Sequence, residues 1–362
     1  MKKIIGFIKK YLPTFALISF FITLASVILL ILMTKIPSLA DFVNLSLAHA
    51  VRVALSGVTY IFPFSIFGLL LLLILPVTVG AFVLAFRFGG DFVSCVRNVF
   101  SLLAVLGLIF TSYIFTLAPG YHTTTVAEHM GLDTGGEISK EELYNTAVYV
   151  RDMANALSVS LDFYEGYSRS GYSLDDISCL VVESYELQEE LDFIKNYKSR
   201  AKPVTYSGVM TAAGITGIYS FFTGEANINM AYPDYCLPFT VAHELAHQRG
   251  ISRENEANFV AYLVCISSSD SYLQYSGYLG MYKYLANALY SSDRELYSDL
   301  VLGLFDGVKA DLSASYEVSS EHSGGWLDNL SDKMNDTYLK LNGTEGTVSY
   351  GLAVRLAVAY HR

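Results

Sequence analysis

The sequence predicts two unlike parts: three transmembrane helices in residues 1–118, then a mainly helical α+β domain outside the membrane in residues 119–362. Three observations predict this division. Only 16% of the 362 residues are charged and 52% are hydrophobic, whereas an ordinary soluble domain has about 25% charged residues. The first 118 residues hold eight Lys or Arg and two Asp or Glu, a net charge of +6, which leaves −16 for the rest. Three long uncharged runs also begin in this first part.

The uncharged runs are residues 11–34, 53–86 and 98–127. A helix needs about 20 apolar residues to cross a bilayer. We therefore expect a lipid bilayer as a partner, with spans near residues 12–33, 60–86 and 99–117. Pro63 and Pro76 can shorten or kink the second span. The first run is longer than the roughly 7–15 apolar residues of a signal peptide, so we expect a retained anchor.

Lys and Arg beside the spans predict their orientation. Four lysines precede the first span, and Arg87 and Arg97 lie between the second and third. Positively charged residues near span ends stay in the cytoplasm. We therefore expect a cytoplasmic N-terminus in the plasma membrane, with the loop 35–59 and everything after Pro119 outside. The overall charge of −10 argues against nucleic acid as a partner, because a phosphate backbone needs a basic surface.

Local patterns predict the elements of the outer domain. Ser139 and Glu142 can form a capping box at the start of a helix over residues 139–157. A segment rich in Gly, Thr and aromatic residues predicts strands, at residues 217–222 and 226–231. Pro238 and Gly250 are typical of the start and the end of a helix. Further helices are expected over residues 185–198, 254–267, 273–290, 293–313, 327–341 and 350–360.

The helix between Pro238 and Gly250 carries the sequence His243-Glu244-Leu245-Ala246-His247. Residues four apart share one face of a helix, so both histidines can bind one Zn²⁺. Glu244 can take a proton from a zinc-bound water, whose pKa falls toward about 7, and pass it to a leaving amine. Chance gives this pattern about 0.006 times in such a composition. The motif predicts peptide hydrolysis with Glu244 as the catalytic residue.

A catalytic zinc needs a third protein ligand. Metzincins place a histidine six residues after the second one, but that position is Arg253 here. A carboxylate from the next helix is the other known solution. We prefer Glu256, because it starts a helical stripe with Phe259 and Val260 that can pack the helix. Glu254 is the alternative ligand.

Four segments together resemble an uncharacterised bacterial family of membrane-anchored HExxH proteins, with N-terminal spans and an outer gluzincin-like metallopeptidase domain. These segments are residues 224–229 (GEANIN), 238–240 (PFT), 243–250 (HELAHQRG) and 254–259 (ENEANF). The Glu-Ala-Asn run is also similar to the third-ligand helix of gluzincin-type peptidases. The resemblance implies a zincin-like fold, zinc peptidase chemistry and a bacterial plasma membrane, but no particular substrate.

Two sets of residues are candidates for contact with a peptide or protein substrate. Glu225, Asn227 and Asn229 alternate on one face of a predicted strand. They either bind an extended peptide or form an exposed polar face. Tyr275 is a candidate donor to the oxyanion that forms at the attacked carbonyl.

The sequence thus predicts a membrane-anchored zinc metallopeptidase that cleaves extracytoplasmic peptides or proteins. The alternative is a non-catalytic membrane sensor or scaffold with a structural or regulatory zinc site. Glu244 favours the enzyme, because a structural site needs no base and is usually closed by four protein ligands.

Overall fold

The computed structural model describes residues 6, 10–88, 92–321, 324–342 and 350–362, without the side chains of residues 75, 78, 81–88 and 350. It is mostly helical, with two small sheets in the described residues. The first part contains helices α1 Thr14–Met33, α2 Pro37–Val43, α3 His49–Tyr60, α4 Ile66–Phe88 and α5 Phe92–Ile114. A π-helical turn, Asn44–Ala48, joins α2 and α3 into one continuous stretch.

Three stretches of described residues are long and apolar enough to cross a membrane. They are α1, the stretch Pro37–Tyr60 and α5, with mean hydropathies of 2.8, 1.2 and 2.0. The predicted first and third spans correspond to α1 and α5. The predicted second span corresponds to α4, a 23-residue helix with Pro76 inside it. It begins at Ile66, because the segment around Pro63 forms a turn and bends after α3.

The stretch Pro37–Tyr60 is the least apolar of the three. Its polar side chains make contacts with the rest of the chain. Arg52 is fully buried. Its guanidinium donates to the carbonyl oxygens of Asn44 at 2.8 Å, Thr116 at 2.7 Å and Arg249 at 3.4 Å. Asp41 accepts hydrogen bonds from the backbone and side chain of Thr124. The buried charge of Arg52 is therefore matched to carbonyl oxygens, two of which, on Thr116 and Arg249, belong to residues distant in sequence.

The second part packs its helices around a large apolar core. Helices α10 Cys236–Arg249, α11 Glu254–Ile266 and α12 Ser271–Ser292 lie next to one another at its centre. Helix α11 is buried from Asn255 to Cys265, so it lies inside the domain and not at its surface. The surrounding helices are α6 Val126–Met130, α7 Lys140–Ser158, α8 Leu174–Leu187, α9 Ser207–Ala212, α13 Arg294–Leu302, α14 Asp306–Ser320, α15 Trp326–Leu341 and α16 Tyr350–Tyr360.

A three-stranded sheet lies beside α10, and its strands are β3 Ala201–Pro203, β4 Gly217–Ser220 and β5 Glu225–Ile228. The order is β3-β5-β4, with β5 parallel to β3 and antiparallel to β4. The hairpin β4–β5 confirms the two predicted strands, and Gly224 makes its turn at a φ of +71°. β3 was not predicted, and it places β5 at the centre of the sheet. Strands β1 Phe163–Tyr164 and β2 Tyr167–Ser168 form a separate small hairpin.

Two helix predictions need correction. The predicted helix over residues 185–198 is wrong, because α8 ends at Leu187 and begins at a capping box formed by Ser173 and Asp176. The predicted helix over residues 293–313 is interrupted at Gly303, which separates α13 from α14. The capping box of Ser139 and Glu142 is confirmed.

Replacing Arg52 with Met should destabilise the whole protein. The change removes the donors to three buried oxygens, the carbonyl oxygens of Thr116 and Arg249 and the side-chain oxygen of Asn44, and each unsatisfied buried polar group costs about 1–3 kcal/mol. We expect a loss of about 3 kcal/mol or more in the free energy of unfolding, measured by thermal or denaturant unfolding of the full chain in detergent. Arg294→Met, at an exposed position, is the matched control. Equal stability of both variants would contradict this role of Arg52.

Candidate metal centre

Helix α10 directs two imidazoles at one point. The Nε2 atoms of His243 and His247 lie 3.0 Å apart. The Nδ1–H of His247 donates to the carbonyl oxygen of Ile251 at 2.8 Å. This bond places a proton on Nδ1, so Nε2 of His247 is the ring nitrogen that would bind a metal in exchange for a proton, which is the arrangement expected of a metal ligand.

A tight turn after α10 brings a carboxylate to the same point. Gly250 ends α10 in the left-handed region, at a φ of +100°, and α11 begins four residues later at Glu254. The Glu254 carboxylate oxygens lie 3.3 Å from Nε2 of His243 and 3.5 Å from Nε2 of His247. Among the described residues, these three side chains are the group that could hold a metal ion.

The donor set fits zinc. Tetrahedral coordination with Zn–N and Zn–O distances of about 2.0–2.2 Å places ligand atoms about 3.3–3.6 Å apart. The separations of 3.0, 3.3 and 3.5 Å between the three side chains are close to that range. Two imidazoles and one carboxylate are also the ligands of known catalytic zinc sites that keep a fourth position open.

The third candidate ligand is Glu254, and the preference for Glu256 was wrong. Positions two apart point to nearly opposite sides of a helix. Glu256 therefore faces away from the histidines, where it pairs with Arg253 at 3.1 Å and accepts from the amide of Val126 at 3.1 Å. The three-residue connection after Gly250 places the first residue of α11, and not the third, against the imidazoles.

Glu244 lies buried beside the two histidines, with 3% of its surface exposed. It accepts a hydrogen bond from the backbone amide of Tyr219, and Gly217 lies against its side chain. Its Oε2 has no hydrogen-bond partner among the described residues. Burial raises the pKa of this carboxyl above its ordinary value, although the nearby imidazoles of His243 and His247 act in the opposite direction.

The charges of His247 and Glu254 depend on each other. Burial by itself would lower the pKa of His247, but the carboxylates of Glu254 and Glu244 more than offset this and raise the pKa to about 9. Burial would raise the pKa of Glu254, yet the two imidazoles hold that pKa well below its usual range. Glu254 is therefore present as a carboxylate, the form that a metal binds.

A cavity of about 1070 Å³ opens beside this cluster. The candidate ligands and Glu244 form one wall, strand β4 forms a second, and helix α15 forms a third. Asn258, four residues after Glu254, also lines the cavity and is 2% exposed. Its Nδ2 has no partner among the described residues. The role of α15 in this wall was not predicted, because nothing local in its sequence indicates what it packs against.

The predicted substrate residues Glu225, Asn227 and Asn229 are structural in this fold. All three are at most 1% exposed, because Lys202 of β3, the residues at the start of α4 and helix α9 pack against them. Glu225 pairs with Lys202 at 2.6 Å and accepts from the amides of Ile66 and Phe67. Asn227 accepts a hydrogen bond from Ser65 of the first part, and Asn229 donates to Thr211 of α9 and to the carbonyl oxygen of Ile215. The prediction that these residues contact a substrate is therefore wrong.

Tyr275 does not reach the cavity either. It is fully buried, and its hydroxyl donates to Asp311 at 2.7 Å. The prediction of Tyr275 as an oxyanion donor is wrong, because its position on α12 faces the core. Other polar side chains that line the cavity include Lys283 and Tyr284.

The comparisons with known proteins give a family and no activity. The family model described as "Protein of unknown function (DUF3810)" matches residues 44–358. The chain belongs to the DUF3810 family. No curated protein and no solved structure matches it. The match begins at Asn44, so it includes Asn44 and Arg52, which contact the turn after α10, and the three candidate ligands of this DUF3810 protein.

Two glutamates two residues apart allow a sharp test of the ligand assignment. Glu254→Gln removes a charged ligand and should lower zinc affinity by at least about 100-fold, above the 10–100-fold typical of groups that only support a ligand. Glu256→Gln should leave zinc affinity within a few-fold, because its carboxylate faces Arg253. Zinc content and affinity of the purified full-length variants would measure this. Equal loss of zinc in both variants would contradict the assignment.

Proposed function

We propose that this DUF3810 protein is a membrane-anchored zinc metallopeptidase that hydrolyses peptide bonds on the outer side of the membrane. The observation that supports this most is the position of Glu254, which completes a three-ligand set with His243 and His247 beside the buried Glu244. A catalytic site needs three ligands, an open position and a base. The cluster supplies the ligands and the base, and the cavity leaves room for a substrate.

Each side chain of the candidate site has a separate role in the proposed hydrolysis. His243, His247 and Glu254 would hold the metal, which supplies a Lewis acid for the attacking water and the scissile carbonyl. Glu244 accepts the proton of the attacking water and delivers it to the leaving amine. The Nδ1–H bond from His247 to Ile251 fixes that ring, and the amide of Tyr219 fixes the Glu244 carboxylate.

Strand β4 is the candidate edge for a peptide substrate. It pairs with β5 on one side, and its residues line the cavity on the other. An extended peptide can add to such an edge through backbone hydrogen bonds. Because Gly217 and Tyr219 of β4 also contact Glu244, a peptide on this edge would lie next to the proposed base.

The contacts of the spans support a topology in which the metal centre is outside the cytoplasm. Met33 at the end of α1 packs with Ile114 at the end of α5. The amides of Ile66 and Phe67, at the start of α4, donate to Glu225 of the domain. These three helix ends therefore lie on the side of the domain. Lys10 before α1, Arg87 near the end of α4 and Arg97 near the start of α5 lie at the opposite helix ends, which face the cytoplasm by the positive-inside rule.

In this topology, the stretch Pro37–Tyr60 lies on the domain side and does not cross the membrane. Its hydrogen bonds to Thr116, Thr124 and Arg249 support this placement. With α1, α4 and α5 as spans, an odd number of crossings puts the domain opposite the N-terminus.

Glu244→Gln tests the proposed base. The amide cannot accept a proton, so the rate of peptide cleavage should fall by about 10²–10⁴-fold, while the zinc content stays at that of the wild type. The measurement is digestion of a pool of unstructured peptides by the full-length protein in detergent, followed by mass spectrometry. Glu317→Gln, an exposed position on α14, is the control. A Glu244→Gln protein as active as the control would refute the proposal.

Gly217→Ala tests the contact between β4 and Glu244. A Cβ at this position would lie 2.6 Å from Oε1 of Glu244 and 2.9 Å from Cγ2 of Thr240, so the glutamate must move. We expect at least a tenfold lower kcat, about 1.4 kcal/mol in the barrier, at unchanged zinc content. Gly208→Ala is the matched control, because nothing lies within 4 Å of the added Cβ. Wild-type kcat in Gly217→Ala would show that this contact does not position the base.

A further inference from the structure

The cavity beside the metal centre extends to the membrane helices. Its lining includes Phe67 in the first turn of α4 and Leu117 just after α5, as well as His243 and Glu244. One continuous space therefore connects the metal cluster with the ends of two apolar helices. A peptidase that acts only on soluble chains has no need of such a connection.

The tip of the β4–β5 hairpin makes this connection. The Phe221 ring packs edge-on against Tyr113 of α5, with centroids 5.5 Å apart, and Ser112 donates to its carbonyl oxygen. The Phe222 ring lies 5.7 Å from that of Phe67. Strand β4 thus begins at Gly217, beside Glu244, and leads to the ends of α4 and α5 that lie on the side of the domain.

The walls of the cavity are mainly apolar toward the membrane. Apart from the metal cluster and Glu244, its charged lining residues are Lys283 and Asp332. Leu330 and Met334 of α15 line the cavity yet are 46% and 64% exposed. Tyr338 of the same helix is bonded to Tyr121 and packs on Tyr113, so the helix is attached beside the end of α5. An apolar wall next to lipid suits a substrate segment that enters from the membrane surface.

We propose that the substrate is a polypeptide with an apolar transmembrane span of its own, cut on the outer side close to that span. This inference rests on the proposed peptidase function and names its substrate class. The span would lie in the lipid beside α4 and α5, and the residues that follow it would extend along β4. From Phe222 to Gly217 is five residues, or about 17 Å at 3.3 Å per residue. The cut bond should therefore lie about five residues from the span.

Anchoring in the same bilayer also favours such a substrate kinetically. A tethered chain reaches the site at a high effective concentration, which can raise apparent affinity by 10²-fold or more. A soluble peptide of the same sequence lacks this advantage and has no span to place beside α4 and α5. The two forms of one sequence should therefore differ in rate, although their reacting segments are identical.

The test compares these two forms. The full-length protein is reconstituted in vesicles of phosphatidylethanolamine and phosphatidylglycerol, with a probe that carries a randomised ten-residue segment directly outside a polyleucine span. The second probe has the same segment without the span. We expect at least tenfold faster cleavage of the spanned probe by the wild type, at bonds about five residues from the span, and none by Glu244→Gln.

A second readout does not depend on turnover. A photo-crosslinking amino acid replaces Phe222 in the Glu244→Gln protein, and we expect crosslinks to the spanned probe and not to the soluble one. The same substitution at Tyr316, which is 73% exposed on α14, should give none. Equal cleavage of both probes, or cuts far from the span, would overturn this inference and leave the peptidase standing. Cleavage of neither probe by the wild type would overturn the peptidase proposal as well.

Discussion

The turn between α10 and α11 is the constraint on which the candidate site depends. Gly250 reverses the chain, and four residues later Glu254 reaches the imidazoles of His243 and His247. Gly250 must be glycine here for two reasons. Its φ is +100°, and a Cβ would lie 2.5 Å from the guanidinium of Arg52. One residue more or less in this turn would rotate α11 by about 100° and remove the carboxylate from the cluster.

Residues of the membrane part hold that turn. Asn44 donates to the carbonyl oxygen of Gly250 and Arg52 to that of Arg249, so a cation lies at the carboxyl end of α10, where the helix dipole favours it. Ser252 donates to the carbonyl oxygen of Leu117 at the end of α5. The two parts of the chain therefore share a buried hydrogen-bond network at the turn that positions Glu254. The family match, residues 44–358, includes both sides of this network.

Local patterns in the sequence were sufficient to predict that His243, Glu244 and His247 share one helix. They also predicted the apolar helices and most helices of the domain, because helical periodicity and capping residues act over a few positions. Glu256 was preferred wrongly because the choice between it and Glu254 depends on where α11 begins, and the turn after Gly250 decides that. Glu225, Asn227 and Asn229 were predicted to contact a substrate or to form an exposed polar face, yet Lys202 on the unpredicted parallel strand β3 and the start of α4 bury them. Contacts across such distances in sequence leave no local signal. The prediction for Tyr275 was wrong for the same reason, since its hydrogen-bond partner Asp311 is 36 residues away.

Anomalous diffraction at the zinc edge, from crystals of the full-length protein, is the most direct measurement of the central claim. We expect one strong peak in the cavity, about 2.0–2.2 Å from Nε2 of His243, Nε2 of His247 and one carboxylate oxygen of Glu254. Glu244 should lie beside the peak without being a ligand. A peak coordinated by Glu256, or zinc-loaded protein with no peak between these three side chains, would contradict the account.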